Sequence, residues 1–231
     1  MSITPDDVVP GFSTEWDQCY ANDTHLSVWP WTDVVVYTNR YAKPRLDFRR
    51  VLELGCGAGA NIPFFLARGD DYHAVEGSPH IVGELHRSFP ELEHTIVVGD
   101  FTHAIPFETL FDLVLDRGSV TCNDTQSIAR CLALVHARLR SGGIMLGIDW
   151  LTSDHEYADR GRYVDSHTRT DIDSPMLHGV GKLHFSDREH LIGLLADAGF
   201  EIKLLERKTA RMLVGGDGFV RDMFNFVAVK Q

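Results

Sequence analysis

The segment VLELGCGAGANI, residues 51–62, constrains this chain more than any other stretch. A short apolar run stops at a glycine, and glycines recur at 55, 57 and 59 before a helical spacing begins. A strand that turns this tightly into a helix needs backbone free to adopt left-handed dihedrals. It also needs space where a Cβ would keep a ligand away. The first amides of the following helix point into that turn. The pattern therefore predicts a parallel α/β unit with a ligand cradle at the strand's carboxyl end.

The rest of the chain continues the alternation. Strands are expected over residues 51–54, 73–76, 95–98, 111–116 and 144–150, and helices over 60–68, 78–89 and 125–140. Ser78 is the expected N-cap of the second of these helices, with Pro79 in its first position. Residues 141–143, Ser-Gly-Gly, read as a turn. A polar stretch over 151–183 interrupts the order as an insertion; then Ser186 is expected to cap a helix that Gly199 ends. The last strands, 200–206 and 223–230, are separated by a segment without helical spacing, which suits an antiparallel pair. Ahead of this unit, residues 1–48 are irregular and aromatic, with short helices expected over 14–20 and 31–41. The expected division is a leader over 1–48 and a main domain over 49–231.

Two carboxylates decide which ligand fits the cradle. The glycines also satisfy a dinucleotide fingerprint, so an NAD(P)-dependent oxidoreductase is the rival reading, and a binding module without catalysis is a third. Glu53, however, sits inside the apolar strand two residues before Gly55, where an unpaired charge is costly. A cationic ligand, or an ordered amide network nearby, would compensate it, whereas a pyrophosphate would be repelled. Glu76, at the end of the second strand, is placed to accept hydrogen bonds from ribose hydroxyls, which suits either cofactor. A short-chain reductase would also want a Tyr-x-x-x-Lys pair, and no tyrosine here has lysine four residues on.

Five ordered motifs then point one way. VLELGCGAG, HAVEGS, VVGDF, FDLVLDRGS and LRSGGIML resemble, in register, those of class I Rossmann-like S-adenosylmethionine-dependent methyltransferases. The resemblance implies a doubly wound, mostly parallel seven-stranded sheet with an antiparallel closing strand. It implies S-adenosylmethionine as cofactor, with contacts at Glu53, Gly55, Cys56, Gly57, Gly59, Asn61, Glu76, Gly77, Ser78, Asp100, Phe101, Asp116 and Arg117. The leader EWDQCYANDTHLSVWPW and the stretch DRGSV are similar to those of thiopurine- and tellurite-type small-molecule methyltransferases. VGKLHFSDREHL resembles bacterial methyltransferases associated with surface glycans. These likenesses imply a leader folded over the cofactor as a helical lid, with Trp16, Tyr20, Trp29 and Trp31 offering π-faces to a sulfonium.

Chemistry is expected beyond the carboxyl ends of the fourth and fifth strands. Asp149, His155, His184 and Asp116 are the candidate bases; Arg117 is expected to pair with Asp116 or Glu53. Arg160, Arg162, Arg169 and Lys182 offer cations for an anionic acceptor. The Asp- and His-rich insertion lacks the His-x-x-x-His spacing of a zinc site, so no metal is expected. Composition narrows partners further. With 22 basic and 33 acidic residues and a net charge of −11, the chain lacks the basic face that nucleic acid requires. No apolar run approaches the roughly 20 residues that span a bilayer, and the acidic start has no secretory character, so a cytoplasmic protein acting on a small molecule is expected. The four cysteines show no CxxC spacing and read as reduced thiols.

Overall fold

A computed structural model describes residues 15–22, 26–42, 49–173, 179–215 and 219–231. In chain order the elements are α1 (Glu15–Ala21), α2 (Thr32–Tyr41), β1 (Arg50–Leu54), α3 (Ile62–Ala67), β2 (Asp71–Glu76), α4 (Pro79–Ser88), β3 (Ile96–Val98) and β4 (Phe111–Arg117). They continue as α5 (Thr125–Arg138), β5 (Leu139–Leu151), β6 (Arg162–Tyr163), β7 (Thr168–Thr170), β8 (Leu183–His184), α6 (Arg188–Asp197), β9 (Phe200–Arg211) and β10 (Val220–Lys230). Seven strands form one sheet in the order β3-β2-β1-β4-β5-β10-β9. The first five are parallel, and β10 runs antiparallel to both neighbours. This is the Rossmann-like methyltransferase arrangement that the motifs imply.

Side-chain alternation along the strands splits the core into two layers. Leu52, Leu54 and Val114 pack with Ile128, Leu132 and Val135 of α5 and Leu191 and Leu195 of α6. Val51, Leu113 and Leu115 pack on the other face with Val34 of α2, Ile62 and Phe65 of α3, and Val82 and Leu85 of α4. Glu53 shares the face of Val51, which brings a carboxylate into an apolar layer. Truncating a fully buried aromatic such as Phe65 or Phe111 to alanine would cost about 3–5 kcal/mol.

Several local expectations change. Ser78 caps α4, its Oγ accepting from the Ile81 amide at 3.2 Å. The cap of α6 is Asp187, not Ser186: Asp187 accepts from the His190 amide at 2.8 Å, while Ser186 is still extended and bridges to Thr152. Residues 141–143 belong to β5 as an irregularity in its ladder with β4, between the pairs Phe111–Leu139 and Leu113–Ile144. Both ends of the segment between the last two strands, residues 207–211 and 220–222, belong to the ladder as well. Arg207 grips Asp222 with two hydrogen bonds of 2.7 and 2.9 Å and Thr209 adds one of 2.6 Å, so the polar groups satisfy one another across the strands. The insertion is more than a polar loop. It holds the small sheet β6-β7-β8 and its own apolar cluster of Tyr157, Ala158, Ile172, Val180, Leu183 and Phe185, which Cys122 and Phe219 complete.

Candidate active site

A cavity of about 590 Å³ opens at the carboxyl ends of β1, β2 and β4, where the strand order reverses. Ligands bind at such switch points because the loops leaving adjacent strands diverge there. Gly55 and Gly57 line it in left-handed conformations, with φ of 66° and 52°. A Cβ on Gly55 would overlap the Ser119 side chain, and one on Gly57 would lie 2.8 Å from the Tyr20 hydroxyl. Both positions therefore need glycine on conformational and steric grounds.

Two buried carboxylates flank this turn. Glu53 accepts from the Asn61 amide at 2.8 Å and the Tyr72 hydroxyl at 2.6 Å. Burial nonetheless pushes its pKa up to about 7 against those two hydrogen bonds. The Glu76 carboxylate accepts from the Gly57 amide at 2.9 Å and the Ser78 amide at 3.0 Å, while burial raises its pKa. Both line the cavity, together with Cys56, Asn61, Gly77 and Phe101. Gly59, Ser78, Asp100 and Asp116 stand behind that lining. Asp100 accepts from the Thr102 amide at 2.8 Å and so shapes the turn that presents Phe101. Asp116 is wholly buried, with one oxygen accepting from the amides of Ser119 and Val120 at 3.0 Å each. Burial raises its pKa, against its bonds to the Ser119 and Val120 loop and its contact with the Trp150 side chain. Asp116 thus organises the loop after β4.

The leader closes one side. Trp16 and Tyr20 of α1 line the cavity. Asp17 fixes α1 by accepting from the Ser78 hydroxyl and from the His80 amide at 3.2 Å. Trp16 also packs against the apolar cluster of the insertion, so α1 is held between α4 and the insertion. Of the other two leader tryptophans expected there, Trp31 lines the cavity, and Trp29 is a correction: it is 80% exposed and outside the lining.

The pairing of Arg117 also differs from expectation. Its partner is neither Asp116 nor Glu53 but Asp149, at 2.7 Å. Its guanidinium stacks on Trp31, 3.6 Å from the ring centroid. Asp149 leaves β5's regular geometry with φ of 60° and donates its amide to Asn225 at 2.9 Å.

No described histidine is in the cavity lining. His155 lies among Tyr157, Phe185 and Phe219, and burial lowers its pKa. His184 is buried against Thr168, Ser186 and His190 at 3.0–3.2 Å, and burial, reinforced by His190, drives its pKa down to about 3. Both belong to the insertion's interior because they satisfy its buried polar groups; His178 falls outside the described residues. Among the described residues no three His, Cys, Asp or Glu side chains converge as metal ligands. The insertion's cations are engaged elsewhere: Arg160 with Glu156, Arg162 with Asp171, Arg169 with backbone carbonyls and Tyr163, and Lys182 with Asp124. Leu26, Ser27, Gly118, Ser119 and Cys122 complete the lining beyond what the sequence suggested. Only Gly118 and Ser119 carry a sequence signal, in DRGSV.

Residues 51–143 match the family model of a methyltransferase domain. Curated relatives named ribosomal RNA small subunit methyltransferase A, from Porphyromonas gingivalis, are 41% identical over 61 residues, which is 26% of this chain and 23% of theirs. This chain's match therefore spans under a quarter of the curated relatives' length, 23%. An S-adenosylmethionine-dependent methyltransferase from Methanosarcina mazei shares the fold, with a TM-score of 0.66 at 15% identity, over 87% of this chain and 98% of that one. So does an amino pentose methyltransferase from Micromonospora echinaspora, solved with S-adenosylmethionine bound, with a TM-score of 0.59 at 18% identity over 94% and 96% of the two chains. No described helix of this chain is long and apolar enough to cross a membrane.

Proposed function

We propose that the chain transfers a methyl group from S-adenosylmethionine to the oxygen or nitrogen of a small polar molecule. The observation that carries this reading is the pair of buried carboxylates on either side of the glycine turn. Glu76 has the position and acceptor oxygens to hold ribose hydroxyls, and Glu53 offers a negative charge inside an apolar layer to a donor bearing positive groups. A dinucleotide would place its pyrophosphate against Glu53 instead, which disfavours an NAD(P)-dependent oxidoreductase.

When bound, the donor supplies a methyl group on positive sulfur that an acceptor displaces in line. The chain's own work is to orient, to exclude water and to remove a proton. Trp16 and Tyr20 cover the cavity as a lid and present π-faces to a cation. Of the four candidate bases, Asp149 is connected to the cavity through Arg117; Asp116 is committed to the β4 loop, and His155 and His184 to the insertion. A sugar or glycan-related acceptor accords with the amino pentose methyltransferase that shares the fold. The deciding experiment incubates the full chain with methyl-labelled S-adenosylmethionine and a fractionated metabolite extract. Label recovered by mass spectrometry in a small polar compound supports the reading; label only in RNA, or none in any fraction, overturns it.

A further inference from the structure

We infer that Arg117 recognises the methyl acceptor, and that the acceptor carries an anionic group, a carboxylate or a phosphate. This rests on the methyltransferase reading above. Among the described residues that line the cavity, Arg117 is the sole lysine or arginine. The basic side chains of the insertion, which would otherwise serve, are all held by partners outside the lining.

The guanidinium is held in place on two sides. Its face rests on Trp31 and one terminal nitrogen meets Asp149, itself fixed through its amide to Asn225. A guanidinium carries five N–H donors in a rigid fork, so one carboxylate contact leaves most of them over. The side chain is 30% exposed, and a planar anion is the partner whose geometry suits the terminal N–H groups of the fork that Asp149 leaves over. Stacking on Trp31 restricts the side chain without consuming its donors.

The two carboxylates that line the cavity, Glu53 and Glu76, mark the donor side, whereas Arg117 stands past the end of β4 against the leader and β5. The competing occupant is the donor's own carboxylate, and the test must separate the two.

The test uses the full chain saturated with S-adenosylhomocysteine and titrated with benzoate, phenyl phosphate and benzamide, read by tryptophan fluorescence. The wild-type chain is expected to bind one of the anions about tenfold or more tighter than benzamide. Whichever anion is preferred identifies the group as carboxylate or phosphate. Arg117→Gln should abolish that preference and Arg117→Lys should restore part of it, while S-adenosylhomocysteine affinity changes by less than about threefold. The absence of any preference for an anion over benzamide overturns the inference, as does a preference that survives Arg117→Gln. So does an Arg117→Gln loss of about tenfold or more for S-adenosylhomocysteine with 5′-methylthioadenosine unaffected, since that assigns Arg117 to the donor carboxylate. Failure of the wild-type chain to bind S-adenosylhomocysteine overturns the methyltransferase reading itself, a separate result.

Discussion

On the donor side of the cavity, Glu53, Gly55, Gly57 and Glu76 all fall within residues 53–76 and are set by one strand-turn-helix-strand unit. On the acceptor side, Trp16, Trp31, Arg117 and Cys122 come from α1, the start of α2, the end of β4 and the turn beyond it. The donor side works through backbone: two left-handed glycines, amides that meet Glu76, and a strand register that carries Glu53 inward. The acceptor side works through side chains that meet only after the leader and insertion have docked. On the proposed reading, the first half would hold the cofactor with local geometry, and the second would be free to vary with the substrate.

That contrast yields graded expectations. Glu76→Ala removes two acceptor oxygens, and charged hydrogen bonds of roughly 1.5–3 kcal/mol each imply about a hundredfold or greater loss of S-adenosylhomocysteine affinity by calorimetry. A loss under threefold would erase the distinction between the two sides.

A stability test addresses the insertion. The folded pKa of His184, about 3, lies below its usual 6.5. The unfolded chain therefore binds the extra proton, and stability should fall as pH drops below 6.5, by about 2 kcal/mol at pH 5 from this residue. Urea melts at pH 7.5 and pH 5 measure it, and His184→Gln should flatten the difference. An unchanged slope would mean that His184 does not titrate inside the fold.

Glu53 gives a smaller effect on the donor side. Its folded pKa of about 7 lies above the usual 4.5, and a cationic ligand favours the ionised form. Affinity for S-adenosylhomocysteine, which keeps the ammonium, should thus be level above pH 7 and weaken by about tenfold from pH 8 to pH 6. Glu53→Gln should remove that dependence. Least of all, Trp16→Ala should weaken S-adenosylmethionine by about threefold or so, the range of a cation–π contact, and S-adenosylhomocysteine, without the sulfonium charge, by less. Equal losses for the two ligands would reduce Trp16 to packing.

The same contrast governs what could be read from the sequence. Periodicity and glycine spacing located β1, β2, β4 and α4, because strand and turn are short-range events; even the Ser78 cap followed from one serine ahead of a proline. The antiparallel closing pair was legible too, from the missing crossover helix. The extended β9–β10 ladder was not, since its polar residues satisfy one another across strands and look like a loop in one dimension. That His155 and His184 lie outside the cavity lining was hidden for a related reason. A histidine in a polar insertion resembles a catalytic base until the insertion is seen to have an interior. The Arg117–Trp31–Asp149 contact joins three elements distant in sequence, and no spacing rule reaches across them.

The central claim is that two carboxylates around a glycine turn hold a positively charged nucleoside donor rather than a dinucleotide. Thermal or chemical unfolding with S-adenosylhomocysteine and, separately, NAD tests it most directly. At a hundredfold excess over its dissociation constant, S-adenosylhomocysteine should add about 2.7 kcal/mol of stability, and NAD should add none. Stabilisation by NAD, or by neither ligand, would contradict the account.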